Sequence, residues 1–517
     1  MRKGTPAGRS LFPPPEAGKC SGSLLTFTKN GATILCKSYK ENPLELVRCQ
    51  VMADKHTKDL TTGSPMKLVL SFMLPLLFGL LFQQFYSMVD TVVVGKYLGV
   101  DALAGVGSTG SVNFLVLGFC MGICSGFAIP VAQKFGQRDY DGLRRIVGTM
   151  IWLGAGFALV ITAVTALLCG RILHWMHTPA ETFGYAYDYI FIIFLGIPAT
   201  MLYNLLSGII RSLGDSRTPL LFLIFSSLLN VALDLALIVG LKLGVAGAGI
   251  ATVVSQAISG ILCLVFIARN YAVLRLRRED LKPGRESVSL LLTMGVPMGL
   301  QYSITAIGSI LLQTAVNDLG PEAMAAVTAG NKVSMFCVCP FDAIGTTAAT
   351  FAGQNVGAGK LDRVHQGVKA SAVIGIGYAV AIFGVLSLWG GDLSLLFLDA
   401  KEAEIIAMSR KFLFCNSLFY IALLFVNLLR FTIQGLGFSR LAVFAGVFEM
   451  VARAVVALCM VDLLGYTAVC LAHPCAWIMA DVFLFPAYFH CMRKLGYRPE
   501  NRGGRRLTLR RRAAIKA

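Results

Sequence analysis

Two carboxylates stand where a charge is costly. In "QQFYSMVDTVVVG" no charged residue occurs from Leu68 until Asp90, and Asp234 interrupts "NVALDLALIVG" in the same way. Charged side chains inside membrane helices are rare, cost at least ~2.5–3.5 kcal/mol at the bilayer centre on insertion scales, and face an interior or a wet cavity. Each acid has a polar neighbour four residues earlier, Tyr86 before Asp90 and Asn230 before Asp234, a spacing that stacks side chains on one helical face. Gln83, seven residues before Asp90, shares that face, and Thr252 in "GAGIATVVSQ" adds a hydroxyl from the next span. A carboxylate shielded from water gives up its proton less readily, and a second one nearby strengthens the effect. Once deprotonated, these oxygens could accept Na⁺ or an organic cation. Holding either a proton or a cation, but not both, is the minimum requirement of an antiporter. The plainer alternative is a self-satisfied polar cluster gluing helices together, which a single amide would achieve without the cost of a carboxylate.

Other patterns carry less chemistry. "GVGSTG" at Gly105 fits a dinucleotide-binding pattern, but no strand precedes it and it opens an apolar span. Gly118, Gly122 and Gly126 form a small-residue row suited to close helix packing. Pro75, Pro130, Pro198, Pro297, Pro340 and Pro474 fall within spans, where each frees a carbonyl and permits a bend; Pro75 lies on the helix that carries Asp90. Glu449 and Arg453, four apart, are expected to form a structural ion pair. Most of the fourteen cysteines are expected to be small buried hydrophobes. The His174–His177 pair in "HWMH" lacks further ligands, so neither a metal site nor catalytic residues are expected.

The elements that hold these residues follow from composition. The 517 residues are 56% hydrophobic and 14% charged, with a mean hydropathy of +0.69. Apolar runs near the ~20 residues needed to cross a bilayer recur along the chain, and β-barrel alternation is missing. An all-α polytopic membrane protein is expected, with twelve spans near 68–94, 102–132, 146–170, 187–210, 219–240, 246–268, 289–316, 323–352, 366–390, 408–434, 441–463 and 466–490. Alternate loops are basic, among them "QKFGQRDYDGLRR", "RSLGDSRTP" and "GKLDRVHQGVK", while the others are acidic or nearly neutral. By the positive-inside rule the basic loops and both termini are cytoplasmic, in a cell (inner) membrane protein.

The net charge of +18 does not point to nucleic acid, because its placement is terminal. The first 51 residues carry +5 and the tail from Arg493 carries +9, leaving +4 between them. A basic tail beside a membrane meets anionic lipid headgroups instead. Residues 1–51, with "FPPPEAGK" and no signal-peptide pattern, read as an atypical basic extension preceding a natural start at Met52.

The two halves are duplicates. "LGVDALAGV" at Leu98 returns as "LGPEAMAAV" 221 positions later, and "QKFGQRDYD" at Gln133 as "QNVGAGKLD" at the same shift. "NLLSGIIRSLGDSR" at Asn204 returns as "NLLRFTIQGLGFSR" 223 positions on. Six spans per half make a parallel repeat with a pseudo-twofold along the membrane normal. The expected units are lobes at 52–268 and 289–492, a cytoplasmic connector at 269–288 and the tail at 493–517.

Together these residues resemble the multidrug and toxic compound extrusion (MATE) family over nearly all of Met66 to Cys491. The matching pieces are Pro75, "Q..Y...D" at Gln83, Tyr86 and Asp90, "QKFGQ", "IRSLGDSRTP", "N...D" at Asn230 and Asp234, "GAGIAT" and "GQNVGAGKLDR". The resemblance implies two six-helix lobes forming a V-shaped central cavity, and a monomeric secondary antiporter that expels cationic amphipathic small molecules in exchange for H⁺ or Na⁺ without a cofactor. It places ion coupling on Asp90, Asn230, Asp234 and Thr252, cargo contacts on Gln83, Tyr86 and Asn204, and a hinge at Pro75. Relatives that couple through acids in the seventh and tenth helices find only Gln301, Asn416 and Asn427 matched here.

Three other readings fit less well. An intramembrane aspartyl protease would need no duplicated twelve-helix body. A lipid-linked oligosaccharide flippase of related fold would line its cavity with Arg or Lys, which the first-half spans almost lack. A non-transporting scaffold leaves Asp90 and Asp234 without a purpose.

Overall fold

Each apolar run becomes a helix because backbone polar groups in a bilayer must be satisfied within the segment. A computed structural model describes residues 23–28, 31–36, 57–176 and 178–497. The first two ranges pair as an antiparallel hairpin, β1 (Ser23–Thr28) and β2 (Gly31–Cys36), with Ser23 opposite Cys36. It belongs to a separate unit, Met1–Lys55. The Met52 start, His177 and the tail beyond 497 lie outside the described residues.

From His56 onward the chain forms one body. Ten of its helices are long and apolar enough to cross a membrane, or twelve spans if each of two bent pairs counts once. They run α1 Pro65–Leu98, α2 Asp101–Gln137, α3 Tyr140–Trp175, α4 Ala180–Leu195 with Ile197–Ser212, α5 Arg217–Gly240 and α6 Val245–Asn270. The second set is α7 Arg285–Asp318, α8 Pro321–Gly357, α9 Leu361–Ser394, α10 Ala403–Leu418 with Tyr420–Gly435, α11 Ser439–Leu464 and α12 Tyr466–Lys494. All twelve expected spans have their counterpart. Among the described residues of this body the cysteines are free and most are buried.

The duplication reaches backbone detail. Gly99 and Gly320, 221 apart, end their helices at φ 90° and 100°, a region open to glycine but strained for other residues. The fourth span of each half breaks at matching points, by 46° in α4 and 51° in α10. The fifth of each carries a π-helical turn, Leu235–Gly240 in α5 and Val456–Met460 in α11. Pro75 and Pro297 both sit inside helices that continue through them.

The halves meet through α1 and α2 on one side and α7, α8 and α9 on the other. The glycine row packs here: a Cβ on Gly122 would lie 2.5 Å from Met298 O, and one on Gly126 2.6 Å from Gly295 Cα. At the basic-loop end the contact is reciprocal. A Cβ on Gly136 would lie 2.0 Å from Gln354 O, and one on Gly357 2.0 Å from Gln133 O.

The polar leads into α1 and α7 also cross over, and both read D-L-x-x-G, from Asp59 and from Asp280. Leu60 N donates to Gln354 Oε1 at 2.9 Å, Asn355 Nδ2 to Leu60 O at 3.3 Å and Arg363 Nη1 to Gly63 O at 2.9 Å. In the mirrored lead, Trp152 Nε1 donates to Leu281 O at 2.9 Å, and Arg144 pairs with Asp280 at 3.6 Å. Each half therefore docks its lead on the other, closing the basic-loop end.

Candidate functional site

Asp234 is the last α-helical residue before the π turn of α5. A π turn inserts one extra residue and re-aims side chains, and such turns recur at functional sites. The matching turn in α11 follows Val455, so the backbone device is shared while the acid is peculiar to the first half. Helix α1 packs against α5, its π turn and α6. That packing brings Asp90, two turns from the end of α1, opposite Asp234.

The two carboxyls are near enough to act on each other electrostatically. Asp234 is fully buried, Asn230 nearly so, and Asp90 half-buried. Asn230 Nδ2 donates to Thr252 Oγ1 at 3.5 Å, a long bond joining α5 to α6. Tyr86 from α1 and Tyr189 from α4 lie close to both acids. Asp90 Oδ1, both Asp234 oxygens and Asn230 Oδ1 are buried without a hydrogen-bond partner. Each is an acceptor, and an ionised carboxylate has nothing to donate. A buried acceptor left unpaired costs about 1–3 kcal/mol, more when charged. The arrangement is thus short of positive charge, and a proton or a cation is what relieves it.

The structure gathers Asp90, Asn230, Asp234, Thr252 and Tyr86 into one cluster. It ties neither Gln83 nor Asn204 to them. Gln83 is half-buried two turns down α1, and Asn204 Nδ2 donates to Thr200 O at 2.8 Å within its own helix. Pro75 lies about two turns nearer the start of α1 than Gln83, in a helix that runs unbroken here. Tyr189 was not foreseen, because α4 presents its ring across a contact that sequence spacing does not encode.

The second half holds a different polar set. Glu449 and Arg453 pair at 3.3 Å as their spacing predicts, and Arg430 of α10 joins them on the other Glu449 oxygen. Arg430 occupies the place of Ser207 in the duplicate, a substitution visible when "NLLRFTIQ" is laid on "NLLSGIIR". Asn427 Nδ2 donates to Asp342 Oδ1 at 3.1 Å, and Gln434 Nε2 to Gln301 Oε1 at 2.6 Å. The residue 221 positions on from Asp90 is Leu311, so the acidic pair has no image. Among the described residues no group of His, Cys, Asp and Glu has the makings of a metal site.

The family model described as MatE matches the chain twice, over residues 75–236 and 297–459, opening on Pro75 and on Pro297. The chain belongs to the MatE family. Among MatE relatives, the probable multidrug resistance protein YoeA of Bacillus subtilis is 31% identical over 347 residues, 65% of this chain and 74% of that protein. The multidrug export protein MepA of Staphylococcus aureus is 22% identical over 382 residues, 74% of this chain and 84% of its own length. Of solved structures, the outward-facing conformation of a multidrug resistance MATE family transporter of the MOP superfamily superposes with a TM-score of 0.79 at 21% identity, covering 85% of this chain and 98% of that one. The two-lobe MatE architecture of twelve spans is therefore the fold of this multi-pass membrane transporter.

Proposed function

We propose that this chain is a secondary antiporter that exports cationic amphipathic compounds, driven by inward H⁺ through Asp90 and Asp234. The observation that carries the reading is the facing carboxyl pair, buried with unpartnered acceptors on Asp90, Asp234 and Asn230. A proton held between the two carboxyls removes one of their two negative charges and supplies the donor that the facing oxygens lack. Loss of the proton creates a site for a cation, so the two ligands exclude each other. The names of the Bacillus and Staphylococcus relatives, a probable multidrug resistance protein and a multidrug export protein, support export of toxic small molecules.

In this reading the basic-loop end, with both termini, faces the cytoplasm of a cell whose inner membrane the chain spans. The crossed leads shut that end, so the site communicates with the outer side. Cargo and protons meet the protein from one side at a time, which coupled exchange requires. Tyr86 lines the site beside the acids. Lipid surrounds a chain that acts as a monomer without a cofactor. The flippase alternative is weakened by Glu449, which pairs with both Arg430 and Arg453 and so occupies them within the lobe.

Na⁺ is the second reading, favoured by the unpartnered amide oxygen of Asn230, a ligand a cation uses and a proton shared between carboxyls does not. The test is ethidium addition to energised inside-out vesicles. Proton exchange makes ethidium collapse part of an imposed pH gradient, whereas Na⁺ exchange leaves that gradient untouched and responds to a Na⁺ gradient.

A further inference from the structure

An exposed apolar seam between α11 and α12 holds a groove of about 300 Å³, lined by Leu441, Val482, Phe483, Pro486, Ala487 and His490. Pro486 has no N–H to offer the carbonyl of Val482 one turn back, which loosens the helix there. Phe483 forms a wall, its ring 6.1 Å from that of Phe444 and 5.3 Å from that of Phe448. The duplication does not repeat this groove. Gly244 and Gly465, 221 positions apart, start α6 and α12 at φ 62° and 55° and so fix the register. In that register Pro486 falls on Val265, and the small Ala487 on the bulky Phe266.

One end of the groove is basic. His490 lines it, and Arg493 and Lys494 follow three and four residues on, along the same helical face. Lys494 Nζ lies 5.5 Å from the centre of the Phe438 ring, which sets the end of α12 beside the start of α11 and its Arg440. Arg440, His490, Arg493 and Lys494 are all exposed, and among the described residues none of the four forms an ion pair. Neither 438–448 nor 482–497 contains an Asp or Glu. The other end, at Val482, lies eight residues or about 12 Å deeper in the span, and Val482 is 67% exposed. Apolar along its length and cationic at its mouth, the groove matches a hydrocarbon chain that carries an anionic head. A zwitterionic head would bring its own ammonium among these cations, whereas an anionic one is drawn to the end where the +9 tail begins.

We propose that this groove is a binding site for one anionic phospholipid. Its acyl chain lies along Leu441, Phe483 and Val482, and its phosphate is held by Arg440 and Arg493. The site needs only that the chain spans a membrane. It stands apart from Asp90 and Asp234 and does not rest on the antiport reading.

Native mass spectrometry of the full chain in detergent tests this, with phosphatidylglycerol and phosphatidylcholine of the same acyl chains as probes. The parent should retain one phosphatidylglycerol roughly tenfold more tightly than phosphatidylcholine. Arg440→Gln/Arg493→Gln should lose that preference, and Val482→Trp, which fills the groove without touching a charge, should lose the bound molecule. Arg275→Gln/Arg278→Gln makes the same charge change at exposed positions of the connector between the lobes and should keep it. Size-exclusion profiles and helical circular dichroism confirm each fold before masses are compared. Equal retention of the two lipids by the parent overturns the proposal, as does a preference that survives in either groove variant. Loss of the preference in the connector variant as well would make it a matter of net charge and overturn the site. A lipid-free dimer that Val482→Trp splits would give the groove to a second copy of the chain and overturn it too.

Discussion

Gln133 and Gln354 join the two lobes by one bond made twice. Gln133 Nε2 donates to Gly435 O at 3.0 Å, and Gln354 Nε2 donates to Ser212 O at 2.8 Å. The donors are 221 positions apart and the acceptors 223, the shifts of the sequence repeat, so the interface obeys the pseudo-twofold. A self-complementary contact of this kind fixes one closed arrangement. It also makes the closed end sensitive to small additions of volume.

The closest approach is backbone to backbone, where nothing flexible can yield. A Cβ on Gly357 would lie 2.0 Å from Gln133 O. Gly357→Leu is therefore expected to hold the basic-loop ends apart while each lobe still folds. Spin labels at Gln137 and Ala358 should report a distance several ångströms longer than in the parent chain. An unchanged distance would mean that this end does not close through Gly357.

Glu449 is the ion-pair partner of two buried guanidiniums, so its loss should be felt in stability before transport. Breaking a buried ion pair by removing one partner costs about 3–5 kcal/mol, because it leaves charge uncompensated. Glu449→Gln should lower the thermal midpoint in detergent markedly, whereas Ser309→Ala, whose exposed hydroxyl bonds to Thr305 O within its own helix, should leave it nearly unchanged. Equal midpoints for parent and Glu449→Gln would contradict the structural role.

Asp139 caps α3, accepting from Gly142 N at 2.9 Å and from Lys134 Nζ at 2.7 Å. The Lys134 bond, with smaller help from Gly142, holds its carboxyl below the usual range. A depressed carboxylate stabilises the fold above its unfolded pKa of about 3.9, and that contribution is lost as the pH falls through the folded value. Asp139→Ala should cost about 0.5–2 kcal/mol near neutrality. The gap from the parent should narrow in strong acid. A gap independent of pH would show that the cap acts through something other than its charge.

Tyr189 and Asn204 separate what the structure assembles from what family likeness places. Tyr189 faces both acids, whereas the Asn204 amide is spent on Thr200 O. Tyr189→Phe removes a polar hydroxyl beside the acids and is expected to slow exchange roughly tenfold, about 1.4 kcal/mol in the barrier. Asn204→Ala should stay within about twofold of the parent, less than half of that free energy. The reverse order in an ethidium flux assay would return Asn204 to the site.

Much of this was legible beforehand. The twelve spans and the duplication follow from apolar run length and repeated loop motifs, because a bilayer leaves the backbone few choices. Asp90, Asn230 and Asp234 announced themselves as polar groups in apolar runs. Three features did not. The α4 bend falls beside Pro198, which permits it, but the matching bend of α10 at Phe419 has no proline to mark it. The π turns need no particular residue, so nothing in "LALIVG" or "VALCM" reveals them. Tyr189 and Arg430 enter through contacts between helices distant in sequence, which periodicity does not report. The paired D-L-x-x-G leads were readable, but three matching letters acquire meaning only once Leu60 and Leu281 are seen docking on opposite lobes.

The most direct test of the central claim is ethidium movement in proteoliposomes under an imposed pH gradient, with Na⁺ equal on both sides. The parent chain should drive ethidium against its gradient, and Asp90→Asn and Asp234→Asn should each abolish that movement while reaching the bilayer intact. Uphill ethidium transport by either variant at the parent rate would contradict the account.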